Sequence, residues 1–376
     1  MFSHETRTDP HLAIAEQATD KPAPTPMRSE AAGDSAPLKH VAAATSGDVP
    51  SNSGPVSWQT AMKRAIRRSD ELCRYVGIDP AFAAPSAEGF PTFVPLEFAD
   101  RIKRGDPSDP ILRQVLPADD ERHEVPGFVA DPVGDLRVSQ AGGVLHKYDG
   151  RALIVTHGAC AVHCRYCFRK EFPYSELNAQ KSKWKPALDY IRSDPSIEEV
   201  LLSGGDPLVL SDQSLRTLVE ELETISHVRR LRLHTRLPIV IPQRITDALL
   251  DLLAESSLMT WLVIHANHSQ EFDPAVVEGL TRMRRRGIAL LNQSVLLSQV
   301  NDDVESLCDL SKTLINAGVQ PYYLHQLDQV RGASHFWVPP EKGLELIDQL
   351  RTQLPGYAVP TFVREQSGQP SKTLVV

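Results

Sequence analysis

The chain has 376 residues, 41% apolar and 23% charged, enough to build a large core and normal for a soluble globular protein. Its 40 basic and 48 acidic side chains leave a net charge of −8, which removes the cationic excess that a nucleic-acid binder needs to neutralise phosphates. No apolar run approaches the roughly 18 residues of a membrane span. Five cysteines are too few for a disulfide framework in so long a chain, and the charged N-terminus lacks a secretory stretch, so a cytoplasmic location is expected.

Residues 1–55 are dominated by Ala, Pro, Ser, Thr, Asp and Gly, with Phe2 as their only aromatic side chain. Such a stretch buries too little to offset its ordering entropy and predicts a disordered tail. From Trp58 to Tyr75 apolar residues recur at helical spacing between Arg and Lys, which predicts one amphipathic helix. Turn signals are frequent from 110 to 150, so residues 56–150 read as a small, mostly helical N-terminal region.

Residues 151–376 alternate short β-rich runs with helical ones. The runs are 152–156, 200–203, 228–234, 260–266, 288–296 and 319–326; helical patterns cover 211–225, 245–255, 274–286 and 304–317. Gly287 and Gly318 stand where two of these helices should end. Six strand–helix units at about 30-residue spacing predict an α/β fold, a partial (β/α)₆ barrel with right-handed crossovers. Catalytic groups in such folds sit at the C-terminal ends of the strands.

Cys160, Cys164 and Cys167 fall in GACAVHCRYCFRK, directly after the first predicted strand, with C-x₃-C-x₂-C spacing. Three thiolates on one loop can ligate three irons of a [4Fe–4S] cluster and leave the fourth open to a ligand. A structural zinc site is the competing reading; it needs a fourth ligand, and only His163 is nearby. Cys73 and Cys308 are isolated and read as packing residues.

The cysteine spacing, with an aromatic before the last cysteine, resembles the radical S-adenosylmethionine (SAM) superfamily, in which the reduced cluster cleaves SAM to a carbon radical. Gly204-Gly205-Asp206, one strand later, resembles the segment that receives the methionyl group of SAM. CRYCFRKEFPY, LLSGGDPL, LPIVIPQRIT, IHANHSQE, PYYLHQLD and GYAVPTFV follow the order of the lysine 2,3-aminomutase family, and the likeness runs from about residue 95 to 376. Within it the chain resembles the bacterial branch that supplies (R)-β-lysine for elongation factor P.

That resemblance implies pyridoxal 5′-phosphate (PLP) on a Schiff-base lysine, carried over to Lys372. It places Arg151 and Lys147 at the PLP phosphate, Arg169 at the carboxylate of L-lysine, and Asp328 and Glu365 at its distal ammonium. The family's free-lysine enzymes have Asp where Glu365 stands, so the reach of that acid is altered by one methylene. His265 and Gln293 fall where the family contacts its cofactors. The family also implies an external electron donor, and the branch implies a lysyl-transferring synthetase acting with elongation factor P. A standalone aminomutase for free lysine or another amino acid such as glutamate, and a non-enzymatic iron–sulfur protein, are the other readings.

Overall fold

The computed structural model describes residues 56–85, 90–174 and 184–376. The tail expected over 1–55 lies outside them. The described chain is organised around one ten-stranded sheet whose spatial order follows the sequence. Strands β1 (Ser139–Gln140) and β2 (Val144–Tyr148) are antiparallel; β3 (Arg151–His157), β4 (Glu199–Gly204), β5 (Arg230–Thr235), β6 (Met259–Ile264), β7 (Ala289–Val295), β8 (Gln320–His325) and β9 (Thr361–Arg364) run parallel; β10 (Thr373–Leu374) turns back on β9. Among the described residues β1 does not pair with β10, so the barrel stays open along one seam.

A helix follows each of β3 to β8: Lys185–Ser193, Asp212–Glu223, Asp247–Glu255, Pro274–Arg285, Val304–Asn316 and Pro340–Gln353. These are six strand–helix units of a partial (β/α)₆ barrel, closed on one side by β9. Ser211, Thr246, Asp273 and Asp303 each cap a helix by accepting a backbone N–H three residues on. Gly287 and Gly318 leave two helices at φ of 76° and 77°, left-handed positions that glycine adopts without penalty. Buried aliphatic side chains from the strands and the inner faces of the helices form the core; Ile154, Leu202, Leu231, Leu233 and Leu262 are all 0% exposed.

Two expectations change. The helix predicted from Trp58 to Tyr75 is two helices, Trp58–Lys63 and Ser69–Val76. Between them Ile66 forms a two-way backbone bridge with Val94 (2.8 and 2.9 Å), and this tertiary pairing overrides local periodicity. The N-terminal region is mostly short helices and turns only as far as Val138, because residues 139–148 add the hairpin β1–β2 to the sheet.

Candidate active site

Several strands carry polar residues on the barrel's inner side. On β5, Arg230, Arg232 and His234 alternate with the buried Leu231, Leu233 and Thr235. Glu199, Leu201 and Ser203 of β4 and Gln293 and Val295 of β7 repeat the pattern. Glu199, Leu201, Ser203, Arg232, His234, Gln293 and Val295 from these strands line a cavity of about 520 Å³ bounded by Phe168 and Arg169 of the cysteine loop and by Glu365 and Lys372 at the seam.

Outside partners fix the cysteine loop. His163 N–H donates to Phe93 O (3.0 Å) and Arg165 N–H to Gln114 O (2.8 Å). The Arg165 side chain, 0% exposed, forms a two-point ion pair with Glu121, which is 4% exposed. From the sheet side, Gly205 N–H donates to His157 O (2.7 Å) and Asp206 N–H to Ala159 O (2.9 Å). A Cβ on Gly205 would lie 2.2 Å from Ala159 O, so the glycine lets the loop and β4 meet.

The three cysteines are only partly exposed. Burial, then the neighbouring sulfurs Cys167 and Cys164 together with Asp206, drives the Cys160 thiol well above its ordinary range. Burial and Cys164 push Cys167 up to about 11. Cys160 and Cys167 resist ionisation when bare, and three sulfurs on one loop fit a metal cluster whose positive irons compensate the thiolates. Among the described residues no three His, Cys, Asp or Glu groups converge as a single ion requires. His163 puts Nδ1 on Pro91 O (2.7 Å) and stacks on Phe90, engaged away from the sulfurs. The donor set suits a cluster with separated iron corners better than one zinc ion.

At the seam, Glu365 is a hub. Lys147 Nζ (3.1 Å), Lys372 Nζ (3.1 Å) and Tyr148 OH all donate to its carboxylate. Burial favours its neutral form, but Lys372, Tyr148 and Lys147 outweigh this and hold it below the usual carboxylate range. Lys147 also reaches Val133 O (2.8 Å) and Asp135 (3.4 Å), so this side chain, expected at a phosphate, is held by carboxylates. Arg151 lies over the Tyr148 ring at 4.6 Å with no carboxylate partner among the described residues, leaving its fork to the cavity. Arg169 donates to Asp135 (2.8 Å) and Ser203 Oγ (3.3 Å).

Asp328 also lines the cavity, and its carboxyl has no hydrogen-bond or ion-pair partner among the described residues. Burial raises it to about 7, with Glu365 and Asp135 adding to the shift and Lys372 opposing it. His234, His265 and His325 are kept neutral chiefly by burial, His265 down at about 3. Their Nε2 atoms, and Gln293 Oε1, are buried without a partner. Unpaired polar atoms around one cavity are what a polar ligand would satisfy.

The structure thus brings Lys372, Arg151, Lys147, Arg169, Asp328, Glu365, His265 and Gln293 to one cavity, with Cys160, Cys164 and Cys167 on the loop beside it. Asp206 is not brought there. Its carboxylate accepts Thr235 Oγ1 (2.7 Å) and the N–H groups of Arg236 (2.8 Å), Leu208 (2.9 Å) and Leu237 (3.1 Å), so it braces the end of β5. Gly204 lies against the backbone of Thr156 and His157 on β3, and Gly205 against Gly158 and Ala159 at the start of the cysteine loop. Sequence reasoning missed Asp135, Tyr148, Ser203, His234 and His325. The period-two alternation of β4 and β5 carried the signal for Ser203 and His234; nothing local marked Asp135.

A family model described as the radical SAM superfamily matches residues 154–310. The chain is 47% identical to an L-lysine 2,3-aminomutase of Escherichia coli (strain K12) over 320 residues, which cover 84% of this chain and 93% of that protein. A Haemophilus influenzae L-lysine 2,3-aminomutase is 43% identical over 321 residues, 85% of this chain and 95% of its own length. That of Clostridium subterminale is 33% identical over 323 residues, 85% of this chain and 77% of its own length. The barrel and cysteine loop are those of a radical SAM enzyme. The chain belongs to the lysine 2,3-aminomutase family, whose members are isomerases.

Proposed function

We propose that this protein is a PLP-dependent L-lysine 2,3-aminomutase that converts L-lysine to (R)-β-lysine, and that this product is destined for elongation factor P through a lysyl-transferring synthetase. The observation that carries the reading is one cavity lined by a lysine amine, Lys372, and a carboxyl without a partner among the described residues, Asp328, with the three-cysteine loop on its border. The link to elongation factor P rests on the ordered motifs and on glutamate at position 365.

Cys160, Cys164 and Cys167 would hold three irons of a [4Fe–4S] cluster. When bound and reduced by an external donor, the cluster supplies the electron that splits SAM into a carbon radical. Lys372 would hold PLP and Arg151 its phosphate; bound PLP supplies a π-system that delocalises an unpaired electron.

The chain's own contribution is positional, because a carbon radical takes the nearest hydrogen. Arg169, fixed by Asp135, would hold the substrate carboxylate through its planar fork. Asp328 would hold the distal ammonium, and that charge would keep it ionised at neutral pH. Glu365 would join it through Oε2, which accepts only from Lys372 and has room for a further donor. Fixing both ends of lysine presents one carbon to the radical, and the lumen limits water around it.

The test is anaerobic reconstitution with iron, sulfide, PLP, SAM and a reductant, followed by chiral analysis of the product from L-lysine. (R)-β-Lysine is expected, and its absence, or β-glutamate made from glutamate, overturns the substrate assignment. For the partner, β-lysyl transfer to elongation factor P should require this protein and the synthetase together.

A further inference from the structure

Arg236 follows the last residue of β5 and is 6% exposed. Its backbone N–H is anchored by Asp206 (2.8 Å). One guanidinium nitrogen donates to Cys164 Sγ and to Tyr166 OH; the other donates to Gln114 Oε1 (2.8 Å) and Glu271 Oε2 (3.0 Å). Its Nε is buried without a partner. Glu271 is fully buried, and its other oxygen accepts the N–H groups of Asn267 (2.9 Å) and His268 (3.1 Å). A permanent cation is therefore clamped against one of the three cysteine sulfurs, with one carboxylate behind it.

We infer that Arg236 is a positioning residue that orients Cys164 and raises the reduction potential of the cluster that sulfur ligates, while Glu271 sets how much of the cation's charge the cluster feels. The inference rests on the reading that the three cysteines hold a [4Fe–4S] cluster. Adding an electron to a cluster held by three thiolates increases negative charge in a weakly polar site, where charge interactions are strong. A charged N–H donor at a ligand sulfur lowers the cost of that electron, since hydrogen bonds to the sulfurs and nearby charge are the main controls of such potentials. Glu271 attenuates the effect without removing it, because it contacts the nitrogen of Arg236 that does not touch Cys164. The two side chains should act in opposite directions, which packing alone does not predict.

The experiment is an anaerobic redox titration of the reconstituted full chain, following the reduced cluster by electron paramagnetic resonance, with iron and sulfide quantified in each sample. Arg236→Gln should lower the midpoint potential by about 59 mV, a tenfold change in the oxidised-to-reduced ratio of a one-electron couple. Arg236→Lys should return it part of the way, and Glu271→Gln should move it in the positive direction. If Arg236→Gln does not retain iron, Glu271→Gln decides alone. Unchanged potentials in variants with full iron content, or a negative shift in Glu271→Gln, overturn the inference. Wild-type protein that holds no iron–sulfur cluster overturns the underlying reading instead, a result visible before any variant is made.

Discussion

Behind the cysteine loop, outside the cavity lining, the buried charges are matched: Arg165 with Glu121, and Arg236 with Glu271. At the seam end Glu365 has three donors while Asp328, in the same cavity, has none. Matched charges fix a loop that must not move when it carries a cluster. An unmatched carboxyl stores a desolvation cost that an incoming cation relieves. One end is built for rigidity and the other for recognition, and substitutions should separate the two.

The largest effects should come from the groups assigned to the cofactors. Cys164→Ala is expected to lose iron–sulfur absorbance and all turnover while keeping its helical circular dichroism. Lys372→Ala should keep the cluster and lose the imine absorbance of bound PLP. If one variant lost both spectra, the two ends would be one cooperative unit, and the division drawn here would fail.

Next is Glu121→Gln, which leaves Arg165 buried without its anion. Breaking one side of a buried ion pair costs ~3–5 kcal/mol, so the urea midpoint should drop clearly and the cluster should be lost faster in air. PLP absorbance should change little, since Glu121 does not line the cavity. A wild-type urea midpoint would show that the pair contributes nothing to holding the loop.

Asp328→Asn tests the recognition end through pH. The folded-state pKa of Asp328, about 7, lies above its ordinary value of 3.8. Its contribution to stability is therefore fully present at low pH and is lost as pH rises from about 4 towards 7, by at most ~4 kcal/mol. The asparagine variant should lack that loss in the ligand-free protein, so its advantage over wild type should grow across this range. Lysine requires the ionised carboxylate, so KM should rise as pH falls below about 7 in wild type and stay high and flat in the variant. A parallel pH profile in the two proteins would exclude Asp328 from contact with the ammonium.

Much of the barrel was legible because strands and helices announce themselves locally. Alternation on β5, capping Ser, Thr and Asp residues, and glycines at 287 and 318 are decided within a few residues of chain. What escaped depends on distant segments meeting. The break at Ile66 needs Val94, Arg236 needs Glu271 and Cys164, and Asp135 needs Arg169 and Lys147. The family motif marks the backbone around Asp206 for a cofactor, and what the motif did not tell is that the Asp206 carboxylate is engaged by Thr235 and three backbone N–H groups. A motif fixes residue types at positions; it does not say which partner claims each atom.

The smallest expected effect concerns Glu365 and the amine of Lys372. Glu365 accepts a hydrogen bond from the Lys372 amine at 3.1 Å and so holds the nitrogen that must attack the PLP carbonyl. Glu365→Gln keeps the shape and removes the negative charge, so the amine is held less tightly and imine formation at pH 7 should speed up several-fold. Lys147 retains Asp135 in that variant, so the seam should remain intact and thermal stability should change modestly. The acid dependence of Glu365 has the opposite sign to that of Asp328: its depressed folded-state pKa gives stability above its ordinary range that is lost as pH falls. Removing both carboxylates together should therefore flatten the pH–stability profile more than either change alone. An imine rate that instead fell in Glu365→Gln would mean that Glu365 orients Lys372 for attack more than it restrains it.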